Sequence, residues 1–397
     1  MENTIKVVLK TECCGCGACV QKCPKNAIKM KEDIEGFLYP EIDTKKCINC
    51  GLCKKICPAI NYKIDDIQNF PKAYAVKNKN MKDILKSSSG GVFILLAKYV
   101  INKQGIVYGA AYDENNNVNH IAIDKEEDLI KLQGSKYVQS NINTIYNDVK
   151  KNLNAKKLVL FSGTPCQIKG LKNFLMKDFI NLLTCDIVCH GVPSQKLFKV
   201  YLSYLEKKYG KKIKNYDFRN KEKKGWGLIA KITFIDNSVK YINSDFDPYY
   251  SNFLNCNTYR ESCYNCKFAT TKRDSDITLA DYWGILSIHN EFYDEKGVSL
   301  ILVNSYKGEE LIKQIKNNIC IIKTDLNYAI TRNKNLKQPS IRPEKRSRIY
   351  KNINILSNDD FIKNNLQYKV TIKKIIKILV PNKLKKYIMK VKGMKND

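Results

Sequence analysis

The cysteine string C-x2-C-x2-C-x3-C-P constrains this chain more than any other feature, because it occurs twice at an offset of 34 residues. Cys13, Cys16, Cys19 and Cys23-Pro24 form the first copy; Cys47, Cys50, Cys53 and Cys57-Pro58 form the second. Zinc modules usually carry two CxxC pairs separated by a loop, whereas three thiolates at i, i+3 and i+6 wrap one corner of a cubane and the fourth reaches elsewhere. In this spacing the fourth cysteine ligates the other cluster. Cys13, Cys16, Cys19 and Cys57 are therefore assigned to one [4Fe-4S] cluster, and Cys47, Cys50, Cys53 and Cys23 to a second. Between the copies, residues 27–30 and 37–40 alternate around Gly36 in the manner of a short hairpin. So small a module lacks a good core and is held together by its clusters. Cys14 stands outside the repeat and reads as a spectator. Two neighbouring one-electron centres make sense as a wire.

The chain has 397 residues and 16 cysteines, and with 44% apolar residues it can bury two or three cores without disulfides. Its start, Met1-Glu2-Asn3-Thr4-Ile5-Lys6, lacks the apolar core of a secretory signal, and no stretch nears the ~18–20 apolar residues of a spanning helix. A cytoplasmic protein is expected, whose reduced thiols serve metal or redox chemistry. The formal charge of +30 looks like a nucleic-acid signature. Yet only seven of the 69 basic residues are arginine, and the lysines are spread along the chain with no compact arginine cluster among aromatics. No nucleic-acid partner is expected.

After Pro58 a polar stretch up to Pro71 reads as a linker, and from Ala73 strands alternate with helices. SSSGG at 87–91 precedes an apolar helix predicted over 92–101, so hydroxyls and backbone N–H groups gather at a helix N-terminus, where a phosphate can sit. A plain N-cap explains the same residues. A strand over 106–112 follows, then GSKYVQS at 134–140. A strand over 158–161 runs into Ser162-Gly163-Thr164-Pro165-Cys166-Gln167 and a helix; a strand over 182–188 runs into Cys189-His190-Gly191-Val192-Pro193. Such units place their loops at the carboxyl ends of strands, where α/β sheets bind ligands.

In this order behind a ferredoxin-type module, SSSGG, GSKYVQS, FSGTPCQIKGL, CDIVCHGVPS, ESCYNCKF and SDITLADYWGI resemble the beta-subunit family of coenzyme F420 (deazaflavin) hydrogenases and dehydrogenases, over about residues 1–335. The resemblance implies FAD with an iron–sulfur cluster beside it. Some members act on the deazaflavin, while many bacterial relatives occur with polysaccharide-synthesis enzymes. It implies a third [4Fe-4S] cluster on Cys166, Cys189, Cys263 and Cys266, with Cys185 and Cys256 as rivals. Three clusters would bring the charge to about +24. For the flavin pyrophosphate and ribityl chain it implies Ser88, Ser89, Gly90 and Gly91, with Gly134, Ser135, Lys136 and Tyr137 near the ring or phosphates. Gly163 and Thr164 would add backbone donors beside Cys166. Lys136 is the candidate to stabilise a reduced flavin anion, and His190 the candidate for proton transfer. An ordinary surface lysine, and a histidine bonded to a carbonyl or cluster sulfur, are the plainer readings. Asp281-Tyr282-Trp283-Gly284 matches a family signature, with Ala280 where relatives more often have glycine.

The expected fold class is α+β: a small two-cluster bacterial ferredoxin-like domain (1–62) followed by a mixed α/β flavin- and cluster-binding region, in an N-terminal part (70–155) and a C-terminal part (156–335). A basic tail (336–397) completes the chain. In it Tyr368, Ile372, Ile375, Ile376 and Leu379 recur at helical spacing, Pro381 interrupts, and Leu384, Tyr387, Ile388 and Val391 repeat the stripe among ten lysines. Such a pair of helices docks on the protein's own body or lies on an anionic membrane surface. The function expected is that of an oxidoreductase passing electrons between a small-molecule redox substrate at FAD and an external ferredoxin-like carrier or partner subunit. The alternatives are an electron-transfer subunit without its own substrate site, or a redox-sensing module.

Overall fold

The structure, a computed structural model, describes residues 3–63 and 71–367. In the N-terminal module, left-handed Gly17 (φ 73°) and Gly51 (φ 76°) start the short helices Ala18–Lys22 and Leu52–Lys55, so the two cysteine strings bend alike. β1 (Ile28–Glu32) and β2 (Leu38–Ile42) pair antiparallel with Ile28 opposite Ile42 and Glu32 opposite Leu38, forming the hairpin expected around Gly36. The module's own core is small: Ile5, Ile28 and Ala59 packed with Cys19, Cys53 and Cys57.

The body is built on an eight-stranded sheet. Its strands in chain order begin with β3 (Lys72–Asn78), β4 (Ile106–Tyr112), β5 (Val118–Ile123), β6 (Val159–Gly163) and β7 (Leu182–Ile187). A separate three-stranded sheet holds β8 (Ile213–Asp217), β9 (Ile229–Phe234) and β10 (Val239–Asn243). The main sheet is completed by β11 (Ile277–Asp281), β12 (Ser299–Val303) and β13 (Ile319–Lys323). Its order is β13-β3-β12-β11-β7-β6-β4-β5, with β11, β7, β6 and β4 parallel and the flanking pairings antiparallel. One sheet thus draws strands from both sides of residue 155.

The apolar run in β6 follows from burial on both faces. Leu160 packs with the helix Val92–Asn102 in one layer; Val159 and Phe161 pack in the other with Tyr146, Val149, Ile168 and Leu171. The carboxyl ends of the parallel strands all emerge along one edge, so Cys166, in the first turn of the helix Pro165–Leu175 after β6, and Cys189, in the loop after β7, lie along that edge.

A third core is aromatic: Phe198, Tyr201, Tyr216, Phe218, Tyr249, Tyr250 and Phe253 pack between the helix Gln195–Tyr209, the small sheet and the helix Pro248–Leu254. Where a separate tail is expected after residue 335, the helix Lys345–Asn352 instead enters this core through Ile349 and Tyr350, followed by Phe361, Ile362 and Leu366. Its buried Arg346 forks onto Glu35 of the N-terminal module and pairs with Glu261, tying three segments together. The stripe from Tyr368 to Val391 lies outside the described residues. No helix among the described residues is long and apolar enough to cross a membrane.

Candidate functional site

In the N-terminal module the thiols gather across the repeat. Burial raises the pKa of Cys19, and the charges of Cys13, Cys57 and Cys53 raise it further; Cys57 responds likewise to burial, then to Cys13 and Cys53. Cys23 lines a small cavity together with Cys47, Cys50 and Cys53. Cys57 thus lies near Cys13 and Cys19 as well as Cys53, and Cys23 lies near Cys47, Cys50 and Cys53.

The four scattered cysteines also converge. The Cys263 thiol is raised by burial, then by Cys189, Cys266 and Cys166; Cys189 is raised by burial, then by Cys166 and Cys266; Cys266 is pushed up to about 11, mainly by burial. Four half-buried thiols that repel one another once ionised suit a polynuclear iron site, whose metal charge would hold them as thiolates. No group of three or more His, Cys, Asp or Glu side chains among the described residues converges on a single-ion site. A cubane spreads its thiolates over four separate irons. The rivals sit elsewhere: Cys185 packs in the apolar layer with Leu160 and Leu183, and Cys256 packs against the aromatic core. Cys14, outside the repeat, lines the same cleft as Cys166, and its thiol is raised by its neighbour Cys16, with Cys166 opposing.

All four central cysteines line a cleft of about 690 Å³, which extends to the two hydroxyl- and glycine-rich loops. Ser88, Ser89, Gly91, Gly134, Ser135, Lys136, Tyr137, Gly163, Thr164 and His190 line it as well. Ser88 Oγ lies 2.8 Å from Ser135 Oγ, which joins the two loops. Gly91 starts the helix Val92–Asn102, whose N-terminus meets the cleft. Gly90 is the exception among the expected contacts. A Cβ there would come within 2.5 Å of Val76 O and 2.7 Å of Ser299 N, so it is a packing glycine that seats the loop on β3 and β12. Thr164 N donates to Gln167 Oε1 (2.9 Å), and Thr164 Oγ1 lies 3.1 Å from Cys166 Sγ. The Lys136 ammonium donates to Lys131 O and Gln133 O, and burial pushes it down to about 7 with Asp217 opposing. His190 is exposed at the cleft wall, its own carbonyl accepting from Ser340 Oγ.

Comparison with known proteins adds the decisive observation. Residues 156–328 match the family model for the C terminus of the coenzyme F420 hydrogenase/dehydrogenase beta subunit, and residues 12–60 match the 4Fe-4S dicluster domain. The chain carries a coenzyme F420 hydrogenase/dehydrogenase beta-subunit domain behind a 4Fe-4S dicluster domain. It is an iron–sulfur, oxidoreductase-type electron-transfer protein related to those beta subunits. An uncharacterized protein of Methanocaldococcus jannaschii is 25% identical over 345 residues, 77% of this chain and 87% of that one. Among solved structures, a xenon-derivatised F420-reducing [NiFe] hydrogenase complex from Methanosarcina barkeri aligns over 70% of this chain and 92% of the matched chain, at 15% identity and a TM-score of 0.47.

The beta-subunit domain also uses residues that motif reading passes over. Buried Arg219 forks onto Asp281 (2.6 and 3.0 Å) and donates to Ser88 O (3.1 Å) and Tyr137 OH (3.3 Å). Trp226 Nε1 donates to the same Asp281 (2.6 Å) and its ring stacks on Trp283 at 5.0 Å, so the DYWG signature holds an arginine in place. Ala280 sits within β11, in ordinary strand backbone. Lys221 Nζ donates to Ile84 O (2.9 Å) and Ser89 O (2.5 Å); burial pushes it down to about 7, with Asp281 opposing. Arg219 and Lys221 thus hold the 87–91 loop from beneath by hydrogen bonds to its carbonyls. His120, also buried, accepts from Ser140 Oγ at Nδ1 (2.9 Å) and donates from Nε2 to Ser162 O (3.0 Å), fixing the approach to Gly163; burial pushes it down to about 4.

Arg260, fully buried, clamps the dicluster domain to the beta-subunit domain. It donates to Cys13 O (2.6 Å), Leu38 O (2.9 Å) and Gln139 Oε1 (3.2 Å), reaches 3.7 Å from Cys13 Sγ, and lies 4.0 Å over the Tyr39 ring. A signal for these positions exists in composition: where nearly every basic residue is lysine, an arginine marks a site that needs a planar fork. Of the seven arginines, Arg219, Arg260, Arg273 and Arg346 are buried.

Proposed function

We propose that the chain is an iron–sulfur flavoprotein oxidoreductase that passes electrons between a two-electron substrate at FAD and one-electron [4Fe-4S] clusters, the third held by Cys166, Cys189, Cys263 and Cys266. The observation that carries this reading is the single cleft shared by the two hydroxyl- and glycine-rich loops and the four central cysteines. When bound, FAD exchanges electron pairs with substrate and single electrons with clusters, which move one electron at a time.

The chain's own residues divide the work. The N-terminus of the helix Val92–Asn102, with Ser88 and Ser135, receives the pyrophosphate, and Arg219 and Lys221 hold that loop through its carbonyls. Lys136 and Tyr137 flank the ring position, and His190 stands at the wall where a substrate proton can be exchanged. Cys14 lines the same cleft as Cys166 and neighbours Cys16, so the central thiols adjoin the first N-terminal set. At the far end Cys50 and Ile48 are exposed, which suits hand-over to a ferredoxin-like carrier or a partner subunit. A polysaccharide-related pathway is the expected setting. Anaerobic purification with iron, sulfide and flavin quantified tests the reading. About twelve iron, twelve sulfide and one FAD per chain are expected; zinc without sulfide, or no retained flavin, would overturn it.

A further inference from the structure

Arg260 differs from the other buried arginines in what answers its charge. Arg219 pairs with Asp281, Arg346 with Glu35 and Glu261, and Arg273 stands 3.6 Å from Asp186. Arg260 is 0% exposed, yet among the described residues no carboxylate lies within ion-pair distance of it. Its Nε, Nη1 and Nη2 donate to neutral oxygens: Cys13 O (2.6 Å), Gln139 Oε1 (3.2 Å) and Leu38 O (2.9 Å). A buried cation is costly unless a counter-charge meets it. The one ionisable acceptor of its hydrogen bonds is Cys13 Sγ, 3.7 Å from Nη2.

The guanidinium is also packed against the first cysteine string. A Cβ on Gly15 would come within 2.9 Å of Nη1, so the chain between Cys13 and Cys16 passes directly beside it. The rings of Tyr39 and Phe37 lie 4.0 and 5.5 Å from its central carbon. All seven arginines follow residue 218, so a guanidinium can reach the dicluster domain only from the body.

Resting on the assignment of Cys13, Cys16, Cys19 and Cys57 to one cluster, and not on FAD or the third cluster, we propose that Arg260 is the counter-ion of that first cluster and raises its reduction potential. The beta-subunit domain thereby tunes one centre of the dicluster domain. A [4Fe-4S] cluster on four thiolates goes from −2 to −3 as it takes one electron, with no proton taken up and no bond broken. A fixed guanidinium donating toward Cys13 Sγ stabilises the −3 state more than the −2 state. Arg260 acts through Cys13 and is a positioning residue, not a ligand.

The test is a potentiometric titration of the full-length protein, followed by paramagnetic resonance, for wild type, Arg260→Gln and Arg260→Lys. The signal of the first cluster is the one absent from Cys16→Ser. Arg260→Gln should disfavour reduction of that cluster about tenfold, a fall of about 59 mV for a one-electron couple, while the signal of the cluster on Cys47, Cys50 and Cys53 stays in place. Arg260→Lys keeps the charge and should shift the first signal less. No fall in Arg260→Gln, an equal fall in both N-terminal signals, or a fall in Arg260→Lys as large as in Arg260→Gln would overturn the proposal. A second measurement needs no substitution: wild-type protein grown with 15N-labelled arginine and reduced with dithionite should show an arginine 15N coupling in the pulsed paramagnetic spectrum of the first cluster. Should both variants lose iron, that spectrum decides, and absence of the coupling sinks the role of Arg260. A wild-type protein without cubane signals would instead defeat the ligand assignment beneath it.

Discussion

The N-terminal and central cysteines differ in what brings them together. Eight thiols of the module come from two strings between Cys13 and Cys57, each bent by its own glycine and short helix. The central four are spread from Cys166 to Cys266: Cys166 and Cys189 are set side by side by the parallel pairing of β6 and β7, and Cys263 and Cys266 join the same cleft from the turn at Glu261–Asn265. A local string carries its geometry in its spacing, so it depends little on the body. A site assembled from strand ends inherits the stability of the sheet beneath it.

The sharpest way to break this comparison is to remove one thiolate from each side. Cys263→Ser should cost the central cluster, about a third of the iron, leaving flavin reducible but slowing its exchange with the N-terminal clusters. Cys57→Ala should instead remove the signal associated with Cys13, Cys16 and Cys19. Iron analysis with paramagnetic spectra checks both; damage in Cys57→Ala confined to the Cys47-Cys50-Cys53 centre would show that the strings do not cross over.

Weakening the sheet comes next. Phe161→Ala empties a buried site between Tyr108, His120 and Tyr146, with an expected loss of about 3–5 kcal/mol. Under mild denaturant the central cluster and flavin should leave first, while the N-terminal clusters persist. Simultaneous loss of all three in a denaturation series would erase the distinction between the two regions.

His120 sharpens it through pH. Burial holds its folded-state pKa near 4, below the ordinary value of 6.5, so the unfolded chain binds the extra proton first as pH falls. The neutral-histidine contribution is complete above about pH 6.5 and lost progressively down to about 4, on the order of 3 kcal/mol. Denaturation midpoints read from Trp226 and Trp283 fluorescence should fall less steeply over that range in His120→Gln than in wild type. Parallel slopes would show that folding leaves the titration of His120 unchanged.

The smallest expected effect concerns the phosphate loop. Gly91 has φ 76°, so any side chain there carries strain, and Gly91→Asn serves as the neutral control for Gly91→Asp. The carboxylate should lower flavin occupancy several-fold beyond the amide, with the N-terminal clusters spared. Equal occupancy in the two variants would take that loop away from the pyrophosphate.

Much of the scaffold was legible because its signals are local. The helix after SSSGG and the strands carrying β4, β6 and β7 follow from apolar runs and glycine punctuation within a few residues. The packing role of Gly90 is hidden in the sequence, because a glycine that admits a neighbouring strand and one that admits a ligand look the same there; the positions of Val76 and Ser299 reveal it. The segment 345–366 reads as polar tail because Arg346 and its neighbours mask a buried face, and its partners Glu35 and Glu261 lie far away in the chain.

By itself the sequence determined the dicluster module, since its cysteine spacing is written within sixty residues, and it determined which segments carry cysteine, glycine and hydroxyl groups. Tertiary structure alone decided that Cys14 shares a cleft with Cys166, that Arg260 bridges the two domains, and that Arg273 and Asp186 are buried as a pair. The physical reason is range. Spacing along the chain sets geometry only over a few bonds, whereas a buried charge or a shared thiol site depends on which distant segments the sheet brings into contact.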